Sequence, residues 1–323
     1  MQARSWVVLQ ALVTVVLLGL LMRTLDLAAL RALFAQLPIS FYLVSLAVVL
    51  AGQVAYAWRW GLLLRGAGVS PPFALVLRQY FVGIFVNNFL PSTAGGDIAK
   101  IVYLGQNHGY RTVAASVAID RLLGVGLLAI LATVALWFSP ISAPRLAAAN
   151  IASALIAAVS VLLLVLTTFG TGGMAARVAR FGTRAVRLAE RLQRLRLEMS
   201  APLSRPAIAA QAALVVVAYA MAVTAIYLRF VTVQHAAAPP FIAMFAVVTA
   251  ITVLSNVPVS LNGLGLREQL HASLFVPLGV PPETAVSVSL LLYAHLLVAS
   301  LIGLMFWLRQ PPFQLRPIGQ VVT

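Results

Sequence analysis

No cysteine occurs anywhere in the 323 residues, which excludes disulfides and thiolate metal sites at once. Charge is nearly as scarce: 9% of the residues are charged, against roughly 25% in an average soluble domain. Acids are the rarest, with seven Asp and Glu facing 22 Lys and Arg, for a formal net charge of +15. No acid pair at catalytic spacing, nucleophile elbow or Walker loop is present, and Gly263-Leu264-Gly265 is too short for a nucleotide fingerprint. His108, His235, His271 and His295 are scattered without ligand spacing. No metal or other cofactor is therefore expected, and the chain is not expected to be an enzyme.

What is abundant is hydrocarbon. Hydrophobic residues make up 62% of the chain, and they come in runs that meet the spanning requirement of about 20 apolar residues. Ser5–Met22, Ile39–Trp58, Ala147–Phe169 and Ala207–Leu228 hold no charge, while Thr112–Phe138 and Pro282–Leu308 hold a few ionisable groups. Lipid offers backbone amides no partner, so these runs must be helices; they do not alternate as barrel strands do. The first run is followed by Met22-Arg23-Thr24-Leu25-Asp26, not by a small-residue cleavage site, and is expected to be a retained helix. Basic residues collect in loops beside the runs. That is a topology signal and not a nucleic-acid footprint, so no nucleic-acid partner is expected. It places both termini in the cytoplasm and the chain in the cell (inner) membrane. Residues 23–38 then form an outer interfacial helix, and Arg59 and Arg65 lie in the cytoplasm.

Two further apolar segments, Phe73–Leu90 and Phe241–Val257, are shorter, and each ends in a Pro/Gly/Asn/Ser cluster. Full spanning would make the sides of the flanking charges awkward, whereas re-entrant hairpins accommodate them. The expected fold is a single, all-α polytopic membrane domain over 1–323, with about six full spans and two re-entrant, Pro/Gly-broken hairpins. Its halves, 1–138 and 147–309, then read as an inverted repeat, a recurring transporter design.

The breaks carry the candidate site. Helix-stopping Pro and Gly free backbone polar groups, which is tolerable at membrane depth only against protein or a polar cavity. Asn87, Asn88 and Ser92 on one break, and Asn256, Ser260 and Asn262 on the other, are placed to satisfy them. Helices restarting after Gly95-Gly96 and after Gly263 and Gly265 would present N–H donors to a phosphate or carboxylate. Each restart holds an acid and a base, Asp97 with Lys100 and Arg267 with Glu268, and Asp120-Arg121 lies deep in the next span. Such charges are costly in hydrocarbon and usually face a cavity or a partner. These residues make up the expected substrate-binding set. Separately, Arg177, Arg180, Arg184, Arg187, Arg191 and Arg194 repeat at three and four within 172–200. That spacing predicts a cytoplasmic amphipathic helix lying on anionic lipid.

The first break, Asn88-Phe89-Leu90-Pro91-Ser92-Thr93-Ala94-Gly95-Gly96-Asp97-Ile98-Ala99-Lys100, followed by Asp120-Arg121, resembles the lysylphosphatidylglycerol synthase transmembrane family. So does the second, Pro258 through Gly263-Leu264-Gly265-Leu266-Arg267-Glu268, followed by Gly279 to Ala285. The resemblance implies a flippase-like domain that moves a polar or anionic lipid between leaflets, whether phospholipid, glycolipid or polyprenyl-linked. The bifunctional synthases add a soluble catalytic domain; none is seen here, so synthase activity is not expected. Two departures bear on the substrate: Lys100 stands where the family pattern has Arg, and Tyr293-Ala294 where a late Arg is common. The alternative reading is a non-transporting scaffold. Its partner would be a glycosyltransferase or a lipid-modifying enzyme rather than membrane lipids alone.

Overall fold

A computed structural model describes residues 34–89, 95–168, 197–203, 206–234, 239–257 and 259–309, together with Leu12, Val16 and Gln193. Every regular element among them is helical. In chain order these are α1 (Ile39–Gly66), α2 (Phe73–Phe89), α3 (Gly95–His108), α4 (Tyr110–Trp137) and α5 (Pro144–Thr168). They are followed by α6 (Pro206–Gln234), α7 (Phe241–Leu254), α8 (Leu266–Leu274) and α9 (Pro282–Leu308). The expected first span, most of the interfacial helix and nearly all of the arginine-rich helix, including its six arginines, lie outside the described residues.

Five of the helices, α1, α4, α5, α6 and α9, are long and apolar enough to cross a membrane. The protein is an all-α polytopic membrane protein. At about 1.5 Å per residue, the 28 residues of α1 exceed a hydrocarbon layer of about 30 Å. The 14 residues of α7 reach only about 21 Å. These helices are apolar all round, so partners and not polarity decide which face is buried. On α1, Val49, Gln53, Ala57, Trp60 and Leu64 repeat at helical spacing on the buried face, while Leu43, Val44, Val54 and Trp58 stay exposed.

Small residues let the helices approach closely, as is usual where no hydrophobic difference separates lipid from side chain. Gly52 lies under the Tyr219 ring, Gly303 against the Phe81 carbonyl, and Gly126 beside Ser160, where a Cβ would sit 2.7 Å from the Ser160 Cβ.

Cross-helix contacts fix the direction of each element. Trp60 Nε1 donates to Ser116 Oγ at 3.1 Å, and Arg59 reaches Asp120, so α1 and α4 run antiparallel with the end of α1 beside the start of α4. Leu63 clusters with Ile208, Gln53 bonds Tyr219, and Phe41 packs on Phe230, so α6 also runs against α1. Along α2 and α9, Asn88 bonds Ser300, Phe85 packs on Trp307, and Phe81 on Phe306. The α2–α3 segment is therefore entered from the end of the bundle where α1 finishes. The α7–α8 segment begins after α6, at the opposite end.

The spans agree closely with the apolar runs, except that α6 runs six residues past Leu228, through Gln234, and α1 needs a correction. α1 continues for eight residues past Trp58, through Gly66. Arg59 is thus not a cytoplasmic loop charge but a buried residue of the span, 6% exposed. It escapes the cost of isolation by pairing with Asp120.

Candidate functional site

Each broken segment is held by one polar side chain at its turn. Asn87, near the end of α2, accepts the Gly96 N–H through Oδ1 at 2.7 Å, satisfying a donor that the start of α3 would leave orphaned. In the second break the Glu268 carboxylate accepts the Gly265 N–H at 2.8 Å, doing the same for α8. Asn262, Gly263 and Gly265 have φ of 48, 76 and 78°, so the chain reverses through left-handed backbone. Glycine adopts that conformation freely, and asparagine is among the few other residues that tolerate it.

The two breaks touch. The Asn262 amide donates to Asn88 Oδ1, and Asn88 in turn donates to Ser300 Oγ on α9. Beside this contact lies a cavity of about 560 Å³, bounded by α1, α4, α6, α7, α9 and both breaks. Asn87, Asp97, Arg121, Asn256, Asn262, Gly263 and Arg267 all face it.

The other expected residues stand behind that wall. Lys100 is buried, 3.3 Å from Asp97 Oδ1, with its ammonium over the rings of Tyr80 and Trp60. Asp120 turns away to Arg59, which contacts its side chain at 2.8 and 2.9 Å and its carbonyl at 3.3 Å. Glu268, 1% exposed, lies under Arg267 at 2.8 Å, and Ser289 hydrogen-bonds both. Gly95, Gly96 and Gly265 shape the backbone, and Ser260 is buried with no partner for its hydroxyl among the described residues. Ser92 lies outside the described residues.

Asp97 is the hub of the first break. One oxygen takes Lys100 and the other takes Arg121 Nε at 2.6 Å. Arg121 is itself 43% exposed along its side chain. Across the cavity Arg267 stacks on Tyr293, its guanidinium carbon 4.8 Å from the ring centre. Lys100, Arg121 and Arg267 against Asp97 and Glu268 leave one positive charge in excess, since Arg59 and Asp120 cancel.

Sequence reasoning missed the rest of the lining. Gln53, Tyr56, Tyr219, Tyr227, Thr249, Thr252, Ser255, His271 and Ser289 all face the cavity. Most lie inside runs that read as uniformly apolar; a search for amides and tyrosines within charge-free spans finds Gln53, Tyr56, Tyr219 and Tyr227. His271 serves structure. Its Nδ1 donates to the Arg267 carbonyl at 2.6 Å, Nε2 faces the Tyr227 hydroxyl at 2.5 Å, and its ring stacks on Tyr227 and Phe275. Among the described residues no three His, Asp or Glu gather as metal ligands.

A helical membrane bundle with two broken segments meeting at a charged internal cavity defines the class. The lysylphosphatidylglycerol synthase TM region family matches residues 7–313, and the chain belongs to it. UPF0104 membrane protein PH1989 of Pyrococcus horikoshii is similar, 32% identical over 97 residues. That match spans 29% of this chain and 29% of the relative's length. No solved structure matches the chain.

Proposed function

We propose that the protein is a flippase-like translocator that moves a polar or anionic lipid between the leaflets of the inner membrane. The observation that carries this reading is the cavity with Arg121 and Arg267 on its wall, placed where segments entered from opposite ends of the bundle meet. The two segments are re-entrant hairpins of an inverted repeat, 1–138 and 147–309, and their broken tips bind the headgroup while the acyl chains stay in lipid. Opposite entry and the shortness of α7 support that arrangement. With no headgroup bound, Asp97 and Glu268 neutralise Arg121 and Arg267; a phosphate takes over part of that role, and one half rocks against the other to change the open side.

Reconstituted vesicles test this. Fluorescent phospholipid on the inner leaflet becomes accessible to an external quencher faster with protein than without, and Arg121→Ala with Arg267→Ala abolishes the gain. Equal rates with and without wild-type protein, across anionic and zwitterionic headgroups, refute the proposal.

A further inference from the structure

Resting on that reading of the cavity, we infer that its headgroup is a phosphate bearing an uncharged, hydroxyl-rich group, a sugar or polyol, and not a cationic or aminoacylated one. The cavity has two unlike walls. One is cationic in sum: Arg121 and Arg267 face inward, while Glu268 is sealed beneath Arg267. Asp97, the one carboxylate among the described lining residues, is already held by both Lys100 and Arg121. Among the described residues the terminal nitrogens of Arg121 have no hydrogen-bond partner, so its fork is open to a phosphate.

An amine or quaternary ammonium finds no such welcome. It would have to break an existing ion pair or sit on an aromatic face. Of the described tyrosines on the lining, Tyr56 already has Arg59 over its ring at 4.8 Å, and Tyr227 packs in a three-ring cluster with His271 and Phe275 and has its hydroxyl against His271 Nε2. Tyr219 and Tyr56 meet edge to face, Gly52 packs against the Tyr219 ring, and Gln53 donates to its hydroxyl.

The second wall is polar without charge. Thr249 and Thr252 donate their hydroxyl protons to carbonyls of their own helix, which leaves oxygen lone pairs on the cavity side. Ser255 Oγ is buried and has no partner among the described residues, and Gln53 with the Tyr219 hydroxyl completes the wall. Groups that both give and accept protons match alcohols, which do the same. At about 560 Å³ the cavity is also of a size for a whole headgroup and not for a bare phosphate.

The test is lipid competition for the full-length protein in detergent, read by native mass spectrometry. The panel holds phosphatidylinositol, polyprenyl-phosphoglucose, lysylphosphatidylglycerol, phosphatidylcholine, phosphatidic acid and monoglucosyl diacylglycerol. Phosphatidylinositol or polyprenyl-phosphoglucose should bind at least about tenfold more tightly than the cationic, zwitterionic and phosphate-free lipids. Which of those two leads identifies the anchor. Thr252→Val with Ser255→Ala should weaken phosphatidylinositol while leaving phosphatidic acid unchanged. Lysylphosphatidylglycerol or phosphatidylcholine binding best, or glucosyl diacylglycerol binding as well as its phosphorylated counterparts, overturns the inference. Leaflet exchange in vesicles separates the two claims. Selective binding without exchange removes translocation and keeps the headgroup assignment; exchange fastest for a cationic lipid keeps translocation and removes the assignment.

Discussion

Arg59 and Asp120 are seven and ten per cent exposed along their side chains and 2.8 Å apart. Among the described residues neither forms another ion pair. Replacing Arg59 by Met leaves Asp120 as a buried carboxylate with its best donors gone; Asp120→Leu strands the guanidinium in the same way. Breaking one side of a buried pair costs about 3–5 kcal/mol, because the survivor keeps its desolvation penalty without the attraction that offset it. At roughly 2–4 °C per kcal/mol for chains of a few hundred residues, each single variant should melt about 6–20 °C below wild type. The double variant removes both charges and should recover most of that loss. Gly124 lies against the guanidinium, where a Cβ would stand 3.0 Å from Nη1, so Met has room only along the path the arginine already takes. Thermal unfolding in detergent, followed by the loss of the monodisperse peak, gives all four corners of the cycle. Single variants within about 2 °C of wild type, or a double variant as unstable as the two losses summed, would refute the reasoning.

Three other outcomes follow from the same geometry. A Cβ on Gly96 would run into the Gly83 carbonyl and stand 2.8 Å from the Asn87 side chain, whereas one on Gly83 would meet the flexible Lys100 Cε at 2.9 Å and the Gly96 carbonyl only at 3.1 Å. Gly96→Ala should therefore lower the melting point clearly more than Gly83→Ala; the reverse order would show that α2 and α3 are not packed as described. Asn262→Val should lose about 1–2 kcal/mol to left-handed backbone strain and about 1 kcal/mol with the Asn88 bond. Asn262→Gly loses only the bond, and thermal melts rank the two. Because the chain has no cysteine, Ser70→Cys before α2 and Val276→Cys after α8 can be labelled one at a time with an impermeant maleimide. The two should react from opposite sides of sealed vesicles, and labelling of both from one side would remove opposite entry.

The spans were legible because apolar length is nearly their whole specification: five of the seven apolar runs within the described residues match a helix to within about three residues, while α1 and α6 run on past the charges that end their apolar runs. α1 was cut short for an identifiable reason. Arg59 looks like the interfacial stop of a span, and only its distant partner Asp120, 61 positions along the chain, makes it an interior residue. The breaks were legible too, because each gathers Pro, Gly and Asn within about ten residues, although α2 itself continues through Asn87 and Asn88. Which charges face the cavity was not. Asp97, Lys100 and Arg121 look equivalent in sequence, yet Lys100 packs back under Tyr80 while Arg121 faces inward. The uncharged wall was only partly legible: Thr249 and Thr252 do nothing to interrupt a run of apolar residues, whereas Gln53 and Tyr219 stand out once amides and tyrosines are sought within charge-free spans.

The contact between Asn88 and Asn262 has a consequence for how thick the barrier is at that spot. Elsewhere a polar group crossing the bundle would have to traverse about 30 Å of oil. On the hairpin reading proposed above, the insulation narrows where α2 and α7 stop, at a seam bridged by the Asn88 and Asn262 amides, and amides exchange one hydrogen-bond partner for another at little net loss. On that reading the molecule is thinnest, in dielectric terms, where its two ends reach toward each other.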